Sequence, residues 1–577
     1  MKIKQIPIYF LVIFLVFKIS WDVIGTALNN DLIVQDDFRQ CCFWFWNSWD
    51  SNLFKNDFFV PIYQAQAMKS PLLFLLYKMA PFVSPNLIYY SKFLSLVIAV
   101  LTGLAGFVFF QSFFREYKSF KDIFGVNIFK DISFSMIDLL AIIASVLAII
   151  TIFCTDLITV AHSRSFVWLF IFLYMALKMN QKHLLANFVI FLSLGLSPHA
   201  FLIIFVMEGF NQLIVKRTKV FDFKKKDFWF FVFNAISAGV LHLIILGGKQ
   251  TQGVGTPFSV AEMKSLPEFN PGGRHPIFGS SIWDGSWWTN EHWGLGVGYL
   301  KISQIVIWAF YLVLIYLFLY LCMKKSNKTF YNSFSIIAQS QPAILLYASV
   351  FLYFSSQLVF PVLYLPSRYI AVSSLLISVV VMTLLSSLWV FEISQMLFKK
   401  YAYQVAAIIL IFLGYNFWVH FKPFYHARYV SIDARVNSLL QSLPVDSLIA
   451  GHPLLPDLNV ASITSKRSVF IDYERSMAYT KESLAEIRRR NEVAIKMVFA
   501  KDREEFISLA KANGITHFLA HYYFYSPEYL SNPVYMKPYD EVLKELCKKN
   551  DNEKFYLQAL LENKQSQYEL IDIVQLN

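Results

Sequence analysis

The chain has 577 residues, 56% hydrophobic and 18% aromatic, with only 16% charged and a mean hydropathy of +0.48. A soluble domain carries about a quarter charged residues, so this composition excludes an ordinary soluble protein and indicates a polytopic membrane protein. Of the 51 basic and 39 acidic residues, 20 of each lie from Phe421 onward, so the whole +12 excess falls in the apolar part. Basic cytoplasmic loops account for it there, and nucleic acid is not the partner it points to.

The N-terminus, MKIK followed by IPIYFLVIFLVF, has signal-peptide charge but no small-residue cleavage site, and reads as an uncleaved first helix from about Pro7 to Leu28. A long external loop, 29–86, follows. Its segment FRQCCFWFWNSW separates aromatic and polar positions onto two helical faces and is expected to lie along the membrane interface. The next apolar stretch, SPLLFLLYKMAPF, is too short to span and reads as interfacial or re-entrant. The five cysteines (Cys41, Cys42, Cys154, Cys322, Cys547) show no pairing rhythm or metal spacing and read as buried small residues.

Further spans are expected at about Leu87–Gln111, Phe134–Phe153, Ser165–Lys178 and Leu184–Leu196, with a sixth returning inside by about Val215. KRTKVFDFKKK, the most basic loop, then falls on the cytoplasmic side, as the positive-inside rule requires. A seventh span, about Phe228–Leu246, exits to a second long external loop, 247–298, rich in Gly and Pro. Spans at about Tyr299–Met323, Pro342–Phe360, Ile370–Trp389 and Val405–Val419 complete a count of about eleven, with the N-terminus inside and the C-terminus outside. The transmembrane part is thus 1–420. Residues 421–577 have soluble composition and alternate strand-like (DSLIAGHPL, KRSVFIDYE, ITHFLAHYYFY) with helical (YTKESLAEIRRRNEVAIKMVFA, KDREEFISLAKANG) segments, the second helix ending at a Gly cap, which argues for a small extracytoplasmic α/β domain.

Asp36 and Asp37 stand with Arg39 just past the first span, and Lys69 precedes Pro71. Acids and bases at a membrane surface, backed by aromatics, suit a site that handles a lipid-borne phosphate and a sugar. The order Asp-acid-x-Arg, then Lys-x-Pro-Leu about thirty residues on, resembles the integral-membrane GT-C glycosyltransferases, most nearly the aminoarabinose-transferase and protein O-mannosyltransferase branch. The polar helix pair followed by NGITHFL is similar to the soluble tails of some of these enzymes. The resemblance implies a GT-C-like membrane fold and an inverting transfer of sugar from a polyprenyl-phosphate-linked donor to a lipid, glycan or protein acceptor on the outer face of an inner or plasma membrane. It implies Asp36 as the base, Asp37 as an auxiliary acid or a ligand to a divalent metal, and Arg39 and Lys69 as ligands of the donor phosphate. The chain departs from the family in having Asp as its second acid, where Glu is usual, and Ser70 where Pro is usual. That leaves the subfamily open.

Arg368, in LYLPSRY at the outer start of a span, resembles a phosphate-binding position of these enzymes, and reads equally as a snorkelling anchor. Arg164 in HSRSF has the same two readings, and His199 in SPHAF is either a substrate contact or a structural histidine. In the second loop, Trp283, Trp287, Trp288 and Trp293 suit stacking on sugar rings, with Asp284, Glu291 and His292 bonding to hydroxyls; an interfacial Trp belt has the same composition. GVG at 253–255 and the run near 294–298 lack a strand–turn–helix context and read as flexible loop. Two other functions fit the composition: a transporter or flippase of lipid-linked glycans, which requires charges inside the spans, and a non-catalytic scaffold whose tail binds a partner.

Overall fold

A computed structural model of the chain describes residues 6–55, 57–67, 69–117, 134–154, 158–215, 226–247, 255–256, 258–274, 276, 339–358, 368–373, 375–377, 379–380, 383, 405, 408–409, 429–477, 480–548 and 554–576. Apolar runs free of interior proline form helices. The first seven expected spans and the ninth coincide with Ile6–Leu28, Leu87–Tyr117, Phe134–Cys154, Val167–Met179, His183–Leu196, Pro198–Phe210, Lys226–Gly247 and Gln341–Leu358. The expected span at about Tyr299–Met323 lies outside the described residues, and the last two lie largely outside them. Among the described residues, the helices over Ile6–Gly25 and Leu87–Glu116 are long and apolar enough to cross a membrane. Those of 13 or 14 residues, such as Val167–Met179 and His183–Leu196, rise only about 20 Å, short of a hydrocarbon core of about 30 Å.

By its contacts the chain divides into two units. The helical unit comprises Met1–Thr26, Lys92–Leu243 and Ile282–Ala427. Three of its helices meet at Gly103, where an added Cβ would stand 2.5 Å from a Val16 methyl and whose carbonyl accepts from Ser145 Oγ at 2.6 Å. No larger residue permits that approach. Ser197 closes one helix, and Pro198, which needs no amide partner in a first turn, opens the next. A buried polar cluster joins these helices: Glu208, with no exposure, accepts from the Tyr174 hydroxyl at 2.6 Å and from Gln212 Nε2 at 2.5 Å, and lies 2.9 Å from Lys178 Nζ. Asn211 extends it, donating to the Tyr174 hydroxyl at 3.0 Å and accepting from Gln341 at 2.9 Å.

The mixed unit gathers three separated segments, Ala27–Ser91, Ile244–Ser281 and Arg428–Asn577. β1 (Ile33–Gln35) pairs antiparallel with β2 (Tyr429–Ser431), Val34 opposite Val430. β3 (Leu448–Gly451), β4 (Ser468–Val469), β5 (His517–His521) and β6 (Tyr568–Asp572) form a second sheet in the order β4-β3-β5-β6. β3 is parallel to β4 and β5, and β6 closes the edge antiparallel to β5. Helix Pro456–Ser465 carries the chain from β3 to β4, and helices Lys481–Val498 and Arg503–Ala512 carry it on toward β5. Gly514, just past the last of these, takes φ +63°, a conformation glycine adopts without a Cβ clash.

The aromatic run expected at the membrane interface is instead core of this unit. Phe38, Cys42, Phe43, Trp44, Phe45 and Trp46 are all at most 5% exposed. Phe45 stacks on Tyr77 at 4.3 Å, and Trp46 Nε1 donates to the Ile463 carbonyl at 2.9 Å, with Lys466 Nζ 3.8 Å over its ring. An aromatic-rich run has the same composition whether lipid or protein covers it, and here protein covers successive residues, Arg39 and Gln40 included. Each large apolar side chain so buried stabilises by roughly 1.5–3 kcal/mol. The next apolar stretch, the helix Pro71–Lys78 and the turn Ala80–Phe82, does present an apolar edge, with Leu75, Met79, Phe82 and Val83 exposed.

Candidate functional site

Gln35 ends β1 and caps the short helix Asp36–Cys41, its side-chain oxygen accepting from the Phe38 amide at 2.8 Å. The cap sets Asp36 and Asp37 in the first turn, where the exposed ends of the backbone amides favour negative side chains. Phe38 is completely buried and fixes the helix rotation. Asp37 is half-buried. The Asp36 side chain is 41% exposed, whereas that of Arg39, one turn on, is only 4% exposed.

Arg39 is the hinge of an alternating chain of charges. Its Nη2 donates to Asp36 Oδ1 at 2.5 Å and reaches Glu474 Oε1 at 3.4 Å. The other Glu474 oxygen accepts from Arg274 Nη2, and Arg274 Nε donates to the Tyr473 carbonyl at 2.9 Å while its guanidinium stacks on the Tyr473 ring. Gln40 Nε2 adds a bond to the Glu474 carbonyl at 3.0 Å. Each of the three segments of the mixed unit thus supplies a member. Arg39 Nε and Nη1 have no hydrogen-bond partner among the described residues, which leaves two donors unused on a buried cation.

A second buried group lies in the same unit. Arg475, 4.1 Å over the Phe43 ring, pairs with Asp472 at 3.2 Å and Asp57 at 3.9 Å, all three side chains being 1% exposed. Burial pushes the Asp57 carboxyl up, against the pull of Arg475. Burial likewise raises the Glu474 carboxyl, with Arg274 and Arg39 opposing and Asp36 and Asp472 adding to the rise.

The Glu474 shift fixes a sign. The folded chain holds the Glu474 proton to higher pH than the unfolded chain, so the associated stability is complete below the ordinary glutamate range and is lost as pH rises through the raised folded value. The stability of the wild type relative to Glu474→Gln is therefore expected to shrink as pH rises from the ordinary glutamate range through the raised folded value. Denaturant unfolding of both proteins across that range checks it, and a difference that grows with pH contradicts it.

The remaining candidates divide between the units. Lys69 lies in the mixed unit, between helices Phe59–Ala67 and Pro71–Lys78, and is exposed; among the described residues no hydrogen bond or ion pair joins it to Asp36 or Arg39. In the helical unit His199 stacks on Tyr369 with ring centroids 4.9 Å apart, and the charges that bear on its ring are those of Arg368 and Arg164. Three sequence candidates thus gather there. Trp283, Asp284, Trp287, Trp288, Glu291, His292 and Trp293 lie outside the described residues. Among the described residues no group of three His, Cys, Asp or Glu is placed to hold a metal ion.

The sequence reading missed Glu474 and Arg274. A signal existed for the first: DYER follows β4, and side chains just past the carboxyl end of a parallel strand are where open α/β sheets place their working groups. Arg274, in a Pro-Gly-Gly-Arg turn, carried no such mark.

No protein-family profile matches the chain, and no curated protein matches it. It is similar to solved structures of the oligosaccharyltransferase of Archaeoglobus fulgidus. With the complex with zinc and sulfate the TM-score is 0.45 at 10% identity, over 92% of this chain and 70% of that one. With the form tethered to an acceptor peptide containing the NVT sequon it is 0.46 at 10% identity, over 94% and 72%.

Proposed function

We propose that the chain is a polytopic GT-C-like membrane glycosyltransferase. It moves a sugar from a polyprenyl-phosphate-linked donor to a lipid, glycan or protein acceptor on the outer face of the membrane. The observation that carries this reading is Asp36, a carboxylate open to solvent at the end of a chain of ion pairs that runs through the buried Arg39. A held but accessible carboxylate is what a general base requires. The acceptor hydroxyl or amine gives its proton to Asp36 as its lone pair attacks the anomeric carbon. The bond from that carbon to the phosphate oxygen breaks, and the phosphate leaves with the electron pair. One displacement inverts the centre.

Lys69 and the unused N–H groups of Arg39, both in the mixed unit, are the proposed ligands of the phosphate, and charge-assisted bonds to them meet the charge that develops on it. Asp37 orients the acceptor. Two adjacent carboxylates make only a partial donor set for a divalent metal, so no step is routed through one.

A second reading, a transporter of lipid-linked glycans, is favoured by the buried Lys178–Glu208 pair in the helical unit. Among the described residues Glu208 accepts from Tyr174 and Gln212 and pairs with Lys178, however, which is the pattern of a helix lock. Reconstituted protein offered a panel of polyprenyl-phosphate sugars is expected to release polyprenyl phosphate; movement of intact lipid-linked glycan across vesicles without such release decides for the transporter. In the same system Lys69→Ala is expected to weaken donor binding by roughly 1.5–3 kcal/mol with an unchanged melting temperature, since the side chain is exposed. Unchanged donor affinity removes Lys69 from the site.

A further inference from the structure

We infer that Glu474 is a positioning residue for Asp36: it anchors Arg39, and through Arg39 it holds the Asp36 carboxylate in place without touching substrate. The inference rests on the reading of Asp36 as the base. Arg39 is almost wholly buried and uses a single nitrogen, Nη2, for both carboxylates, Asp36 Oδ1 at 2.5 Å and Glu474 Oε1 at 3.4 Å. A guanidinium held from one side only swings toward its one partner; held from both, it is fixed, and so is the carboxylate it binds.

Glu474 is itself held three ways. Arg274 takes its second oxygen, Gln40 binds its carbonyl, and Arg274 is stacked on the adjacent Tyr473. The chain therefore has a rigid end at Glu474 and an open end at Asp36, whose side chain is 41% exposed against 20% for Glu474 and 14% for Arg274. An anchor at the closed end and a reacting group at the open end is the division expected when supporting residues orient a base, and a small displacement of that base costs rate steeply.

The test is a double-mutant cycle on purified full-length protein, read as single-turnover sugar transfer. Glu474→Gln is expected to lower the rate constant by about tenfold to a hundredfold with the donor KM within about twofold of wild type. In the Asp36→Asn background the same change is expected to cost nothing further, because the group it positions is already lost. Glu474→Asp keeps the charge but falls short of Arg39, and is expected to repeat this pattern should the glutamine protein fail to fold. An unchanged rate for both Glu474 variants overturns the inference and leaves Asp36 as base. An equal loss in both backgrounds overturns it as well, since it marks a general structural role. Full activity of Asp36→Asn alone overturns the reading of Asp36 itself.

Discussion

Asp36→Asn is expected to abolish sugar transfer, lowering the rate by about two to four orders of magnitude, while leaving donor affinity and melting temperature close to wild type. The amide keeps the size of the carboxylate and can still accept from Arg39 Nη2, so the helix Asp36–Cys41 keeps its place. What it loses is the capacity to take a proton. The side chain is also substantially open to solvent, so a neutral replacement leaves little uncompensated buried charge. Asp37→Asn is expected to cost less, since Asp37 only orients. The reverse ranking moves the base to Asp37 and leaves the enzyme class standing. Full activity in both single variants and in the double variant takes the first loop out of the chemistry, and with it the main support for a glycosyltransferase.

Arg475→Met should have the largest effect on stability, a loss of about 3–5 kcal/mol, because it removes the cation lying between two completely buried acids. Methionine fills much of the volume but leaves Asp57 and Asp472 without their partner and also forfeits the stacking on Phe43. Asp57 is already pushed toward its protonated form by burial, and loss of Arg475 removes the chief opposing influence. Adding Asp57→Asn and Asp472→Asn to Arg475→Met is expected to recover part of the loss, since neutral amides are cheaper to bury than unpaired carboxylates. Denaturant titration of the wild type and these two variants measures both effects. A single Arg475→Met variant within about 1 kcal/mol of wild type shows that the group does not stabilise the fold.

The helices were legible because their signal is local: a run such as LIYYSKFLSLVIAVLTGLAGFVFF needs only its own composition to be recognised, and Leu87–Tyr117 starts where it was expected. Strands β3, β4 and β5 and the helices Lys481–Val498 and Arg503–Ala512 followed for the same reason, whereas β1, β2, β6 and the helices Ala434–Ser442, Pro456–Ser465, Tyr539–Lys548 and Tyr556–Lys564 did not. The candidate base was marked by two acids and an arginine within four positions. Its supports were not, because Glu474 and Arg274 are joined to Arg39 only by folding, and nothing in a linear pattern ties a residue to one 435 positions away. The aromatic run failed in a different way. Its pattern reads as one helix with an aromatic and a polar face against lipid, whereas it forms two short helices with Arg39 and Gln40 buried beside the aromatics, and the surface that covers Trp46 comes from Ile463 and Lys466.

That same covering has a consequence in time. Trp46 and the carbonyl it bonds are 417 positions apart. At a synthesis rate of roughly 5–20 residues per second, Trp46 leaves the ribosome some 20–80 s before its partner exists. Throughout that interval Phe43 lacks Arg475, Trp46 lacks Ile463 and Lys466, and Arg39 has Asp36 but not Glu474, and for most of it β1 lacks β2. The mixed unit is thus completed only near the end of translation. A chain stopped before β2 displays a sticky aromatic surface rather than a smaller finished protein, so quality-control proteases and holding chaperones have a long window in which to meet it.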